Sequence, residues 1–315
     1  MSAELLKPIG LGFGLLGTTN TKPISDRDAQ AMFDCACSLG VVRFDTAPLY
    51  GGGLSEERLG HLLRGIPRSH YVLSTKVGRY RPYATKVENP KRNRGDWNDY
   101  SYNGTLKSIE NSLKRLGADR LDAVFVHDCD ERIEDALRGA LPALQFLKEQ
   151  GVVTKVGCGS NVAATPIALL RHFDLEILMV AGRFTLLDQT ATNGLFQICL
   201  NRGLEVELAA PFNSGILATG ANDKSARMDY MAPDDGDRNR VRKIEAVCAE
   251  HGVSLKRAAL QYSAAHPAVS RLILGLIHPD GMKSNFEDMC VPVPNYLWDA
   301  LEGIGIPHPN PKALL

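Results

Sequence analysis

The chain has no excess of either charge: Lys and Arg together number 36, and so do Asp and Glu. Without a net field, nothing overall points to a nucleic acid or an anionic membrane as a partner. No apolar run is long enough to cross a bilayer. The opening MSAELLKPIG holds no apolar signal core, so a cytoplasmic location is expected. Cysteine is sparse, odd in number and scattered: Cys35, Cys37, Cys129, Cys158, Cys199, Cys248 and Cys290, with no CxxC. That argues against a disulfide framework and for free thiols. There is no internal repeat and no linker-like break in composition, so one domain is expected over residues 1–315. No GxGxxG opens a helix after a strand, and GLGFG at Gly10–Gly14 falls inside a strand.

What is present alternates. Short apolar runs read as strands at Pro8–Gly14, Val41–Thr46, Tyr71–Val77, Asp122–His127, Thr154–Gly159, Ile177–Gly182, Leu204–Ala210 and Arg271–Gly275. Helical spacing lies between them. Ser25 is positioned to cap a helix whose Ala29, Met32, Phe33 and Ala36 share a face, and Gly40 stops it. Ser55 reads as the opening of a second helix, and Gly117, Gly151 and Gly252 close later ones. Eight strands alternating with helices over 315 residues predict a closed (β/α)8 TIM barrel, with a doubly wound sheet as the alternative. Two long polar segments, Gly78–Asn103 and Thr219–Asp237, each follow a strand and so belong to the C-terminal face.

In a barrel that face carries the chemistry. The second strand ends at Asp45, the third at Lys76 and the fourth at His127 and Asp128, with Tyr50 in a glycine loop after the second. One charged residue at a strand end is ordinarily a solvated rim group. Four titratable groups on neighbouring strands, each after an apolar run, point to a shared site. A phenol titrates near pH 10, too high for a base at neutrality. A nearby lysine cation is expected to favour tyrosinate by ~1–3 units. Asp45 can hold Lys76 so that it aims at the phenol, and His127 can orient a substrate oxygen. Such a set moves one proton at a hydroxyl or carbonyl. No side chain accepts hydride, so a nicotinamide cofactor is implied.

The residues FDTA-x3-YG, STKV and FVHD, in this order, resemble the aldo-keto reductases over nearly the whole chain. The resemblance implies that Tyr50 donates or accepts the proton, Lys76 tunes it, Asp45 anchors Lys76 and His127 orients substrate. It also implies a cofactor lying extended across the barrel mouth. VGCGSN matches the carboxamide-binding Ser-Asn, here Ser160 and Asn161. APFNSGIL matches the pyrophosphate loop, which places Phe212, Asn213, Ser214 and Leu217 beside the cofactor. Gly275, Gly281, Ser284 and Asn285 fall in the adenosine stretch. Many relatives carry an aromatic ring at the position of Ala209 and a glutamine at about Ala181. NADPH-using members place basic residues where this chain has Gly275, Ile277 and Gly281, which favours NAD over NADP. His278 and Lys283 are the nearby basic candidates.

FDTAPLYGGGLSEERLG, AGRFTLLDQ and FVHDCD resemble the NAD-dependent aldose 1-dehydrogenase branch, with a sister branch acting on pyridoxal. The function this implies is oxidation of a cyclic hemiacetal at its anomeric carbon to a lactone. The alternatives are a pyridoxal 4-dehydrogenase, an NADPH carbonyl reductase, and a regulatory barrel that senses redox state through bound cofactor. Asp128 is a candidate for sugar hydroxyls. Trp97, with Asp96, Asp99 and Tyr100 in the third loop, is a candidate for a sugar or pyridine ring. The basic cluster Lys91, Arg92 and Arg94 reads as a solvated loop face at zero net charge. Adjacent residues in the HDCD run alternate faces, and the other histidines lack ligand spacing, so no metal is expected. The expected partner is a small molecule, and the expected assembly a monomer or small homo-oligomer.

Overall fold

A computed structural model describes residues 8–14, 24–80, 98–275 and 278–310. Eight parallel strands close on themselves in sequence order. They are β1 (Ile9–Gly12), β2 (Arg43–Asp45), β3 (Val72–Val77), β4 (Leu121–His127), β5 (Val153–Ser160), β6 (Ile177–Ala181), β7 (Glu205–Ala209) and β8 (Arg271–Gly275). All eight fall on the runs read from the sequence; β8 matches at both ends and the others differ by one or two residues at an end. The first two are shorter than their apolar runs, because Phe13 and Thr46 already turn into loops.

Helices form the outer ring. Ser25 caps the helix Asp26–Ser38 by accepting from the Asp28 N–H at 3.1 Å, as the sequence predicts. Ser55 does not cap. It lies inside the helix Leu54–Leu62, fully buried, and its hydroxyl donates to the Phe13 carbonyl at 2.9 Å while pairing with the Thr46 hydroxyl at 2.7 Å. It thus ties that helix to the ends of β1 and β2.

The core has two parts. The larger lies between strands and helices, where outward residues such as Phe44, Val124 and Val126 meet Phe33, Ile109 and Leu141. The smaller plugs the barrel with Ala123, Phe125, Ile177, Met179 and Ile273. Strand alternation sets the division, since successive side chains face opposite sides. At the N-terminal ends of β2 and β8, level with the middle of β7, sits a buried charge cluster. Arg43 donates to both oxygens of Glu207, at 2.7 and 2.6 Å, and Arg271 donates to Glu207 at 3.2 Å. At the C-terminal ends the inward residues form the mouth. Among the described residues no helix is long and apolar enough to cross a membrane, and no group of three His, Cys, Asp or Glu could hold a metal ion.

Candidate active site

The mouth takes its polar side from three neighbouring strands. Lys76 on β3 donates to Asp45 on β2, Nζ to Oδ2 at 2.5 Å, and to the Thr46 carbonyl at 2.9 Å. The Ser74 hydroxyl holds the other Asp45 oxygen at 2.6 Å. Both charges are buried, at 2% and 3% exposure, so geometry and pairing must offset their desolvation. Burial is the largest influence and works against the Lys76 ammonium, but the charge and hydrogen bonds of Asp45, together with Tyr50, outweigh it, and the group stays above its ordinary range.

Tyr50 begins the short turn Tyr50–Gly53 in the loop that follows β2. Its ring centre lies 5.0 Å from Lys76 Nζ, and the His127 ring meets it edge-on at 5.8 Å. The expected lowering of its pKa does not occur. Burial pushes the phenol up to about 12, and Lys76, the next largest influence, recovers only part of that shift. The sequence shows the cation but not the degree of desolvation, which depends on packing.

His127 ends β4, with burial the main cause and Lys76 and Arg79 adding, so its pKa falls well below the ordinary histidine range. It therefore presents a neutral imidazole, and its Nδ1 is buried with no partner among the described residues. The Tyr100 hydroxyl fixes the backbone here by donating to the His127 carbonyl at 2.6 Å and to that of Asp128 at 3.1 Å. Tyr100 is thus buried beneath the site and does not line it. Gly78 makes this possible, since a Cβ there would lie 1.9 Å from the Tyr100 ring. Asp99 is spent on the Ser101 N–H and hydroxyl.

The histidine has a testable consequence. The unfolded chain binds a proton at His127 below about pH 6.5 and the native chain does not, so this residue removes stability as pH falls below that value. His127→Gln should lose less Tm than the wild type between pH 7 and pH 5. An equal or larger loss would mean the imidazole is charged in the native state.

Around these groups lies a fixed cation, a phenol beside it and a neutral imidazole, all facing one opening. They can exchange a proton with one oxygen while a neutral donor orients it. The sequence profile of the Aldo/keto reductase family matches residues 8–306. The chain belongs to the aldo/keto reductase family. It is therefore an oxidoreductase, and aldo/keto reductases use nicotinamide cofactors. It is 36% identical over 313 residues to a D-threo-aldose 1-dehydrogenase from a Pseudomonas species, covering 95% of each chain. It is 32% identical over 324 residues to a pyridoxal 4-dehydrogenase from Microbacterium luteolum, covering 95% of this chain and 94% of the relative. The holo form of an aldo-keto reductase from Bacillus halodurans has the same fold, with a TM-score of 0.75, 23% identity, and coverage of 95% and 92%.

The opposite side of this reductase's mouth is made of small residues: Gly159, Ala181, Ala209 and Gly275 end the inward rows of β5 to β8. A Cβ on Gly159 would lie 3.8 Å from Lys76 Cε, so a larger side chain would fill the space beside the ammonium. Asn213 and Asn285 are each 1% exposed, and each keeps a buried Oδ1 with no partner among the described residues. A smooth floor with unpaired amide oxygens beyond it fits a flat ring and the extended remainder of a dinucleotide.

Not every sequence-derived cofactor residue reaches that floor. Ser160 is a correction. Gly159 faces inward, so Ser160 faces out, where its hydroxyl donates to Asp130 at 2.8 Å and accepts from the Val162 N–H at 2.9 Å. Asn161, one residue on, is exposed. Leu217 is fully buried, and its N–H is bonded to the Phe212 carbonyl. It supports the loop from inside. Phe212 packs partly buried against the core, and Asn213 and Ser214 take left-handed backbone, φ 45° and 61°, to turn the chain above β7. Gly275 is exposed at the end of β8, and the Gly281 N–H bonds the His278 carbonyl. Ser284 accepts from Lys256 Nζ at 2.5 Å. Trp97 lies outside the described residues. Sequence reading also passed over Arg79, which contacts Asp128. Its only signal was its place two residues after the last strand residue of β3.

Proposed function

We propose that this reductase is an NAD-dependent dehydrogenase that oxidises the anomeric carbon of an aldose in its cyclic hemiacetal form to a lactone. The observation that carries the reading is the Asp45–Lys76–Tyr50–His127 cluster at the mouth, in a chain 36% identical to a D-threo-aldose 1-dehydrogenase. Tyr50 takes the proton of the anomeric hydroxyl. Lys76 stabilises the tyrosinate and is itself held by Asp45. His127, neutral, donates a hydrogen bond to the same substrate oxygen. The nicotinamide supplies the hydride acceptor that no side chain provides. The Gly159–Ala181–Ala209–Gly275 floor and the Asn213 and Asn285 amides are the residues that would hold the dinucleotide.

NAD is favoured over NADP on charge. Lys256 and Arg257, the basic groups beside Ser284, are held by Asp288 at 3.1 and 3.2 Å. A 2′-phosphate there would meet a carboxylate already paired with both cations. Equilibrium titration of the protein's fluorescence should show tighter binding of NADH than of NADPH, and the reverse order would defeat the cofactor assignment. A panel of free aldoses with pyridoxal, followed as NADH appearance, tests the substrate. Turnover of aldoses is the expected result. Turnover of pyridoxal alone would move the chain to the second reading, a pyridoxal 4-dehydrogenase, which the 32% identical relative supports.

A further inference from the structure

Two strained segments with no part in the proton-transfer set meet at this mouth. The first is Asp128. It follows His127 directly, has φ 42°, and its N–H is bonded to the Gly159 carbonyl at 2.8 Å. A non-glycine residue in the left-handed region is uncommon and points to function when the surroundings fix it. The bend turns the carboxylate back over the site, 3.7 Å from His127 Nε2 and in contact with Arg79. Arg79 is anchored at the third loop's base. It bridges to Asn98, and the Asp99 N–H bonds the Gly78 carbonyl at 2.7 Å. Its guanidinium is 36% exposed and the Asp128 side chain 20%, so the pair faces the opening.

The second segment is a hairpin in the loop after β7. Met228 and Met231 exchange backbone hydrogen bonds of 2.9 Å each way, leaving Asp229 and Tyr230 as its two central residues, φ 45° and 68°. Both-positive φ is the geometry that ordinarily selects Asn-Gly or Asp-Gly. A bulky tyrosine there is a true outlier. Two contacts hold the hairpin in place: Asp229 pairs with Arg183 at 2.9 Å, and the Tyr230 N–H bonds Ser214 Oγ at 3.0 Å. The tyrosine ring is left 79% exposed. Strained backbone here presents an exposed aromatic ring on the loop that follows β7, pinned to Ser214 at that strand's end.

We propose that Arg79, Asp128 and Tyr230 form the sugar subsite of this enzyme. Arg79 and Asp128 read neighbouring ring hydroxyls, and Tyr230 covers the apolar C–H face of the pyranose. The inference rests on the aldose reading above and deepens it. A carboxylate accepts from one hydroxyl while the guanidinium, with five donors, gives to the next. An ion pair held at the rim suits a polyol better than a plain aldehyde, because a substrate without hydroxyls would leave the pair's donors and acceptors unmatched. The tyrosine combines an apolar body with a polar tip, as a sugar face requires.

The test compares two substrates in one enzyme: an aldose from the panel, oxidised with NAD, and 4-nitrobenzaldehyde, reduced with NADH. Arg79→Met and Asp128→Asn should raise KM for the aldose by tenfold to a hundredfold, about the effect of one charge-assisted hydrogen bond. Both should raise the KM for 4-nitrobenzaldehyde much less, so that the ratio of the two effects separates lost hydroxyl contacts from any change at His127, and Arg79→Lys should restore part of the aldose KM. Tyr230→Gly removes the ring while relieving the positive φ, so Tm should hold or rise as aldose KM rises. Tyr230→Phe should keep KM near wild type. Equal losses on both substrates would overturn the subsite and leave the aldose reading standing, as would a Tyr230→Gly variant with lowered Tm and unchanged KM. A wild type that reduces 4-nitrobenzaldehyde but oxidises no aldose would defeat the aldose reading itself, and the sugar subsite with it.

Discussion

Tyr50→Phe should lower turnover by about 10²–10⁴, the usual worth of a positioned acid–base group, with binding of NADH unchanged. The ring stays, so its edge contact with His127 and its place over the Lys76 ammonium stay. Only the oxygen that exchanges the proton is lost. The pH dependence of the wild type carries the same information in a second form. With the phenol pushed up to about 12, the basic form is scarce at neutral pH and grows about tenfold per unit as pH rises. Oxidation should therefore climb through the alkaline range with a slope near one on a logarithmic scale. Reduction needs the protonated phenol, so it should stay flat over the same range. In Tyr50→Phe the alkaline climb should vanish. Full turnover by the variant, or an unchanged climb, would remove Tyr50 from the chemistry.

The meeting of Asp45, Lys76 and His127 at one mouth was legible because its signal is local. Asp45, Lys76 and His127 each follow an apolar run and occupy the inward phase of a period-two strand. The eight-strand count was legible for the same reason. What depended on distant packing was not. Arg79 reads as part of a basic loop, because its partner Asp128 is 49 positions away. Arg43 sits in an apolar run whose neighbours hide its bond to Glu207, 164 positions away. Ser160 was read one phase off. In a strand a shift of one residue exchanges inside for outside, and the extra glycine at Gly159 moved the serine to the outer face. Tyr100 read as a loop aromatic because nothing in the sequence shows the two carbonyls its hydroxyl reaches. The upward shift of Tyr50 was hidden because a neighbouring charge is visible in a sequence and the loss of solvent is not.

Asp45→Asn should cost about 3–5 kcal/mol of stability, because it leaves the Lys76 ammonium buried without a counter-ion. For a chain of this size that corresponds to a Tm lower by roughly 5–8 °C. The sign of the pH effect follows from Lys76, whose folded pKa is raised above its ordinary value of about 10.4. In the wild type its contribution is fully present below that value, whereas in the variant burial is left to lower the Lys76 pKa, so the variant loses stability as pH falls and its deficit should be larger at pH 6 than at pH 9. Adding Lys76→Met should return part of the lost Tm, since the double variant buries no charge at this position. Activity should not return. Without the ammonium the phenol loses the one strong influence that lowers its pKa, and each further unit makes tyrosinate tenfold scarcer. With a lysine worth ~1–3 units, oxidation at fixed pH should fall by roughly 10- to 1000-fold. Stability partly restored with activity still absent would separate the two roles of the pair: one charge neutralises the other, and the cation so held governs the proton. A double variant no more stable than Asp45→Asn would show that the buried pair is not what the aspartate protects.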